Sequence, residues 1–112
     1  MDDKNIRTCG KIIEYAERIL SYCEGLDYDG FMAHGITVEA CVFNLIQIGE
    51  SVRLFNDEFL AKHGNIPWQQ IRSLRNRIVH NYDNVDTLMI WDIIKDDLPD
   101  LIRKLSPLTI CN

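Results

Sequence analysis

The 112-residue chain has no apolar run near the ~20 residues that span a bilayer. Its start, Met1-Asp2-Asp3-Lys4, is acidic and polar and lacks the pattern of a secretory signal. Four cysteines, Cys9, Cys23, Cys41 and Cys111, are scattered, and no C-x-x-C pair offers zinc its usual spacing. They are expected as small apolar residues on helix faces, with Cys111 in the tail, and not as a disulfide framework. Asp27 and Asp29 stand close together, but an EF-hand loop needs further ligands and a closing Glu that are missing. No segment repeats, none is low in complexity, and no alternating run is long enough for a strand. These absences leave one cytoplasmic, helical domain over residues 1–112, with no membrane segment.

Acid is scarce in one place. Between Phe59 and Tyr82 there is no Asp or Glu, while Lys62, Arg72, Arg75 and Arg77 give that window four positive charges. The whole chain carries −5, so the remainder carries −9. One basic segment in an acidic surround points to a local anionic ligand more than to a broad nucleic-acid footprint. A solvated basic helix face would have the same composition.

The apolar spacing predicts an all-α, antiparallel four-helix bundle. Ile6, Cys9, Ile13, Ala16, Leu20 and Cys23 recur at three- and four-residue steps, which predicts a helix from about Asp3 to Glu24, stopped by Gly25. Leu26 to Gly35 has the Asp and Gly content of a connection. Thr37 is expected to cap a second helix running to about Lys62, with Val38, Val42, Leu45, Gly49 and Val52 inward. Phe43, Ile46, Ile48 and Phe59 give it apolar surface on other sides, so it is central or has a partner on a second face. Gly49 is expected where another helix packs closely, and Glu50 in a salt bridge to an Arg.

Ile66-Pro67-Trp68 opens a third helix, predicted to run to about Asn81, with Trp68 as a core anchor. Val85 to Leu105 is the fourth, capped by Asn84 or Asp86. Leu88, Trp91, Ile94, Leu98, Leu101 and Leu105 face inward, and Pro99 is expected to kink it.

The third helix carries the chemistry. Arg75-Asn76-Arg77-Ile78-Val79-His80-Asn81-Tyr82 places an always-charged fork, a residue that titrates near neutral pH and a hydroxyl donor within eight residues. Arg72, Asn76 and His80 fall at i, i+4 and i+8, on one outer face of an ideal helix. Arg75 lies five residues before His80, about 140° away around such a helix. Either the long Arg side chain reaches around, or the same helix of a second subunit completes the site.

This run, Arg-polar-x-x-x-His-x-Tyr, resembles the signature of the HEPN superfamily, and of its HepT-like toxin branch in particular. Leu45-Ile46-Gln47-Ile48-Gly49-Glu50, Ile66-Pro67-Trp68 and the stretch from Val85-Asp86 to Leu98-Pro99 resemble the same branch, in the same order. The resemblance implies a HEPN-like bundle that dimerises with paired motifs in a shared cleft. It implies a ribonuclease toxin of a type VII-like toxin–antitoxin system. Its partner would be a minimal nucleotidyltransferase antitoxin that attaches AMP to the motif tyrosine, here Tyr82.

RNA carries its own nucleophile, the 2′-OH, so cleavage needs a base, an acid and positive charge on the phosphorane, and no metal or cofactor. His80 can be base or acid. Arg75 can hold the phosphate, with the larger gain in the transition state. Asn76 can orient either by hydrogen bonding, and Arg72 and Arg77 can contact the RNA backbone. Other readings stay open. One is a non-catalytic HEPN module that binds a nucleotide or serves the nucleotidyltransferase as a partner subunit, and another is a plain dimerisation domain. In those, His80 and Asn81 suit a helix C-terminus and Tyr82 a core position with a wet hydroxyl.

Overall fold

The computed structural model describes residues 3–80 and 84–110, with His80 and Asn84 by their backbones alone. The fold is all-α, as the spacing predicts. Helix α1 spans Asp3–Tyr22 and packs along α3, Gly35–Ser51. The two run antiparallel. Cys23, just past the end of α1, meets Cys41 with sulfurs 3.7 Å apart, while Thr8 at its start borders Ser51. Gly25 stops the first arm with φ 80°, a left-handed conformation that glycine adopts without a Cβ penalty. Cys9, Ile12, Ala16 and Ile19 of α1 are buried against Cys41, Leu45, Ile48 and Val52 of the second arm.

Several boundaries differ from the spacing-based expectation. The first connection is not all turn. Asp27 accepts a hydrogen bond from the Gly30 amide (2.8 Å) and so caps a short helix, α2, Tyr28–Ala33. Its Phe31 is fully buried, 5.1 Å from the Trp91 ring. An Asx cap followed by a bulky apolar residue was the available signal.

The second helix begins at Gly35 rather than at a Thr37 cap, and it does not reach Lys62 unbroken. A 3₁₀ turn at Val52–Leu54 leads to an extended Phe55. Asn56 then caps α4, Asp57–Lys62, by accepting from the Phe59 amide (2.8 Å). Leu45, Gly49 and Val52 face inward as expected, but Val38 and Val42 lie at the edge of the core and Ile48 is inside it. Glu50 pairs at 3.2 Å with Arg53 of the 3₁₀ turn that follows its helix.

The third arm is likewise broken. Helix α5, Trp68–Arg72, and α6, Leu74–Ile78, meet at Ser73. Trp68 is a half-buried anchor whose ring lies 5.1 Å from Phe55 and whose Nε1 donates to the His63 carbonyl (3.0 Å). The helix ends at Ile78, and the β-branched Val79 turns extended. Strand β1, Val79–His80, pairs antiparallel with β2, Asn84–Val85, in the register Val79 with Val85 and His80 with Asn84.

Helix α7, Thr87–Asp92, is capped by Asp86, which accepts from the Met89 amide (2.9 Å). Leu88 is 55% exposed instead of inward. Before Pro99 the arm widens into a π turn at Ile93–Asp97, where the Leu98 amide reaches back to the Ile93 carbonyl, and then continues as α8, Leu98–Leu105. A proline ring clashes with the carbonyl four residues earlier, and one wider turn relieves that clash. Among the described residues no helix is long and apolar enough to cross a membrane.

Candidate active site

The motif segment is held from behind by α3. A Cβ built on Gly49 would lie 2.8 Å from the Ile71 carbonyl oxygen and 3.5 Å from that of Arg72. Glycine is therefore what lets the α5–α6 junction lie directly on α3, as its mid-helix position suggested. Ile71, Leu74 and Ile78 complete the anchor by burying their side chains in the core. The residues between them are then forced outward.

Arg72, Arg75 and Asn76 are exposed, Arg72 as the last residue of α5 and the other two on α6. Arg77 turns elsewhere. Its guanidinium donates to the Gln70 carbonyl (3.3 Å), and it borders with Asp97 a cleft between α6 and the last arm. Burial raises the Asp97 carboxyl above the usual range, and the positive charge of Arg77 works against that rise. The segment's cations therefore divide. Arg72 and Arg75 face solvent, and Arg77 is half-buried beside an acid.

His80 is not on the helix with Arg75. The backbone leaves the helix after Ile78, and His80 stands in β1 opposite Asn84. The ideal-helix separation of 140° and the shared outer face with Arg72 and Asn76 therefore do not apply. The short ladder, together with the Asp86 amide donating to the Ile78 carbonyl (2.9 Å), holds Asn84–Asp86 beside Ile78–His80. The turn residues around Asn81 and the paired valines were the sequence signal for it. Tyr82 and Asn81 lie outside the described residues. Among the described residues no three of His, Cys, Asp and Glu gather where a metal ion could be held.

Of the residues expected to give α3 surplus apolar surface, only Phe43 is exposed (60%), while Ile48 and Phe59 are buried and Ile46 is half-buried. Ile36, seven residues before Phe43 on the same side of the helix, is 84% exposed and was not foreseen.

A family model described as "Ribonuclease HepT-like" matches residues 12–108. A protein of Methanocaldococcus jannaschii named "Putative RNase" is 31% identical over 95 residues, covering 85% of this chain and 87% of its own. A "Probable ribonuclease HepT" of Thermococcus cleftensis is 29% identical over 97 residues, covering 87% of this chain and 88% of its own. No solved structure matches the chain.

Proposed function

The chain belongs to the HepT-like ribonuclease family, and from that membership we propose that it is a metal-independent endoribonuclease that cleaves by attack of the 2′-OH on the adjacent phosphate. The observation that carries the reading is an outward Arg75 followed by a chain that has left the helix by His80, on a segment pinned by Gly49. His80 takes the proton of the 2′-OH as the 2′-oxygen–phosphorus bond forms. The bond to the 5′-oxygen breaks, and that oxygen is protonated by an acid, which in a dimer can be the second copy of His80. Arg75 neutralises the phosphorane with a bidentate fork, and Asn76 orients the phosphate or the imidazole. Arg72, beside Arg75 on the exposed side, contacts the flanking RNA backbone. Arg77 adds positive potential from its place beside Asp97.

The protein acts as a homodimer through Ile36 and Phe43. Large exposed apolar residues in line mark an interface, and a two-fold axis would bring two basic segments together. In a toxin–antitoxin pair, a partner nucleotidyltransferase would silence it by joining the Tyr82 oxygen to the α-phosphorus of ATP with release of pyrophosphate. The added AMP would compete with RNA by charge and volume.

The products test the mechanism. Attack by the 2′-OH must leave a 2′,3′-cyclic phosphate and a 5′-OH, and must fail on 2′-O-methyl RNA of the same sequence. A 3′-OH with a 5′-phosphate, or cutting of the methylated strand, would exclude it.

A further inference from the structure

The outer surface of α1 is sorted by chemistry. Lys4, Arg7, Lys11, Tyr15, Arg18 and Tyr22 follow at steps of three, four, four, three and four residues, which keeps them on one stripe about 120° around the helix from the buried Cys9, Ile12, Ala16 and Ile19. The four cations are exposed, Tyr15 is half-buried and Tyr22 is 42% exposed. The Tyr15 ring stands between Lys11, 5.8 Å from its centroid, and Arg18, 5.6 Å from it. Glu14 reaches the stripe only at its edge, 4.0 Å from Arg18. At the other end Lys4, Arg7 and Lys11 open into a cleft shared with Ser51 and Leu54. That is the end of α3 on which Gly49 supports the Arg72–Arg75 segment. In a chain of net charge −5, four cations aligned with two tyrosines are a concentrated exception.

We propose that this stripe is a track for single-stranded RNA that delivers substrate to the motif segment. The inference rests on the ribonuclease reading and extends it to a second contact surface. Cations spaced along a helix meet successive phosphates. The exposed Tyr22 ring can stack on a base only where bases are unpaired, because a duplex keeps them inside, while the Tyr15 ring is already covered by Lys11 and Arg18. An acidic protein partner would use the cations but has no bases to stack on the Tyr22 ring. From Lys4 to Tyr22 the helix rises about 27 Å, room for on the order of four to eight nucleotides.

The test uses a fluorescent 12-nucleotide 2′-O-methyl RNA, which the proposed chemistry cannot cut, so that binding is read apart from cleavage. Anisotropy is followed over a salt series for wild type, the double variant Arg7→Gln/Lys11→Gln, and Tyr22→Ala. Light scattering reports oligomeric state, and cleavage of unmodified RNA is measured alongside. The double variant should bind roughly tenfold more weakly, with a log–log salt slope shallower by about 1.4, since each single-strand phosphate contact contributes about 0.7. Tyr22→Ala should also bind roughly tenfold more weakly, at unchanged slope. Unaltered affinity and slope in both variants would overturn the track while wild-type cleavage kept the ribonuclease reading. Weakening that merely follows dissociation of subunits would overturn it too. Weakened binding by the variants, beside a wild type that cuts no RNA, would leave the track standing and remove the ribonuclease reading.

Discussion

Gly49 and Ile71 touch through backbone. The glycine Cα faces the Ile71 carbonyl so closely that any Cβ would stand 2.8 Å from its oxygen. The atom in the way is main chain and cannot rotate aside. Gly49→Ala gains up to about 1 kcal/mol of helix propensity, but overpacking of this kind costs about 1–3 kcal/mol. The variant should therefore melt at a lower temperature. Its folded fraction should also cleave RNA more slowly, because the junction bearing Arg72 and Arg75 is pushed off α3. A more stable, fully active Gly49→Ala would refute this support.

Arg77 and the Arg72–Arg75 pair should separate by assay. Arg77→Gln removes the charge that opposes the burial-driven rise of the Asp97 carboxyl. It should lower the melting temperature by a few degrees at most, through loss of the half-buried guanidinium's bond to the Gln70 carbonyl and of its attraction to the exposed Asp97. Arg72→Gln, at an exposed position, should leave melting unchanged and weaken RNA binding. Thermal melts and binding on the same samples check both.

His63 should make stability depend on pH. Burial lowers its pKa below the usual 6.5, with Lys62 adding to the effect, and its Nε2 is enclosed beside the Phe59 ring with no hydrogen-bond partner among the described residues. The unfolded chain therefore takes up a proton at a higher pH than the folded one. Above about 6.5 both forms are neutral and stability is intact, and below it stability falls toward the lowered folded value. His63→Gln should flatten that part of the melting-temperature profile between pH 7 and 5. An equal slope in the variant would assign the effect elsewhere.

The buried thiols should be slow to react. Burial pushes Cys9 up to about 11 and raises Cys23 and Cys41 as well. The thiolate is the reactive form. In native protein these three should resist a thiol reagent at pH 8 and react together on unfolding, as timed labelling and intact mass would show. Fast native labelling of Cys41 would contradict its burial.

The sequence made the chain's helical character, the Gly25 stop and the Gly49 contact legible, and narrowed the last arm's cap to Asn84 or Asp86, because each follows from local spacing or a single backbone demand. The breaks were not legible. Asn56 and Ser73 interrupt apolar patterns that continue through them, since Phe55, Phe59, Ile71 and Leu74 all bury themselves on either side. The expected inward row of the second helix is present at Leu45, Gly49, Val52 and Phe55, while Val42 lies at the edge and Ile48 is inside. The exit from the helix at Ile78 needed the partner Val85, six residues beyond Val79, which no helical period reveals. The types and order of the candidate site residues could be read directly. The turning of Arg77 toward Asp97 required the last arm to be in place.

The account turns on His80 and Arg75 acting on RNA. The most direct measurement is cleavage of total cellular RNA by purified protein in EDTA, comparing wild type, His80→Ala and Arg75→Gln, with circular dichroism to confirm fold and intact mass to exclude AMP on Tyr82. Wild type should cut, and both variants should lose at least two orders of magnitude in rate while staying folded. Equal cutting by all three, or none by an unmodified wild type, would contradict it.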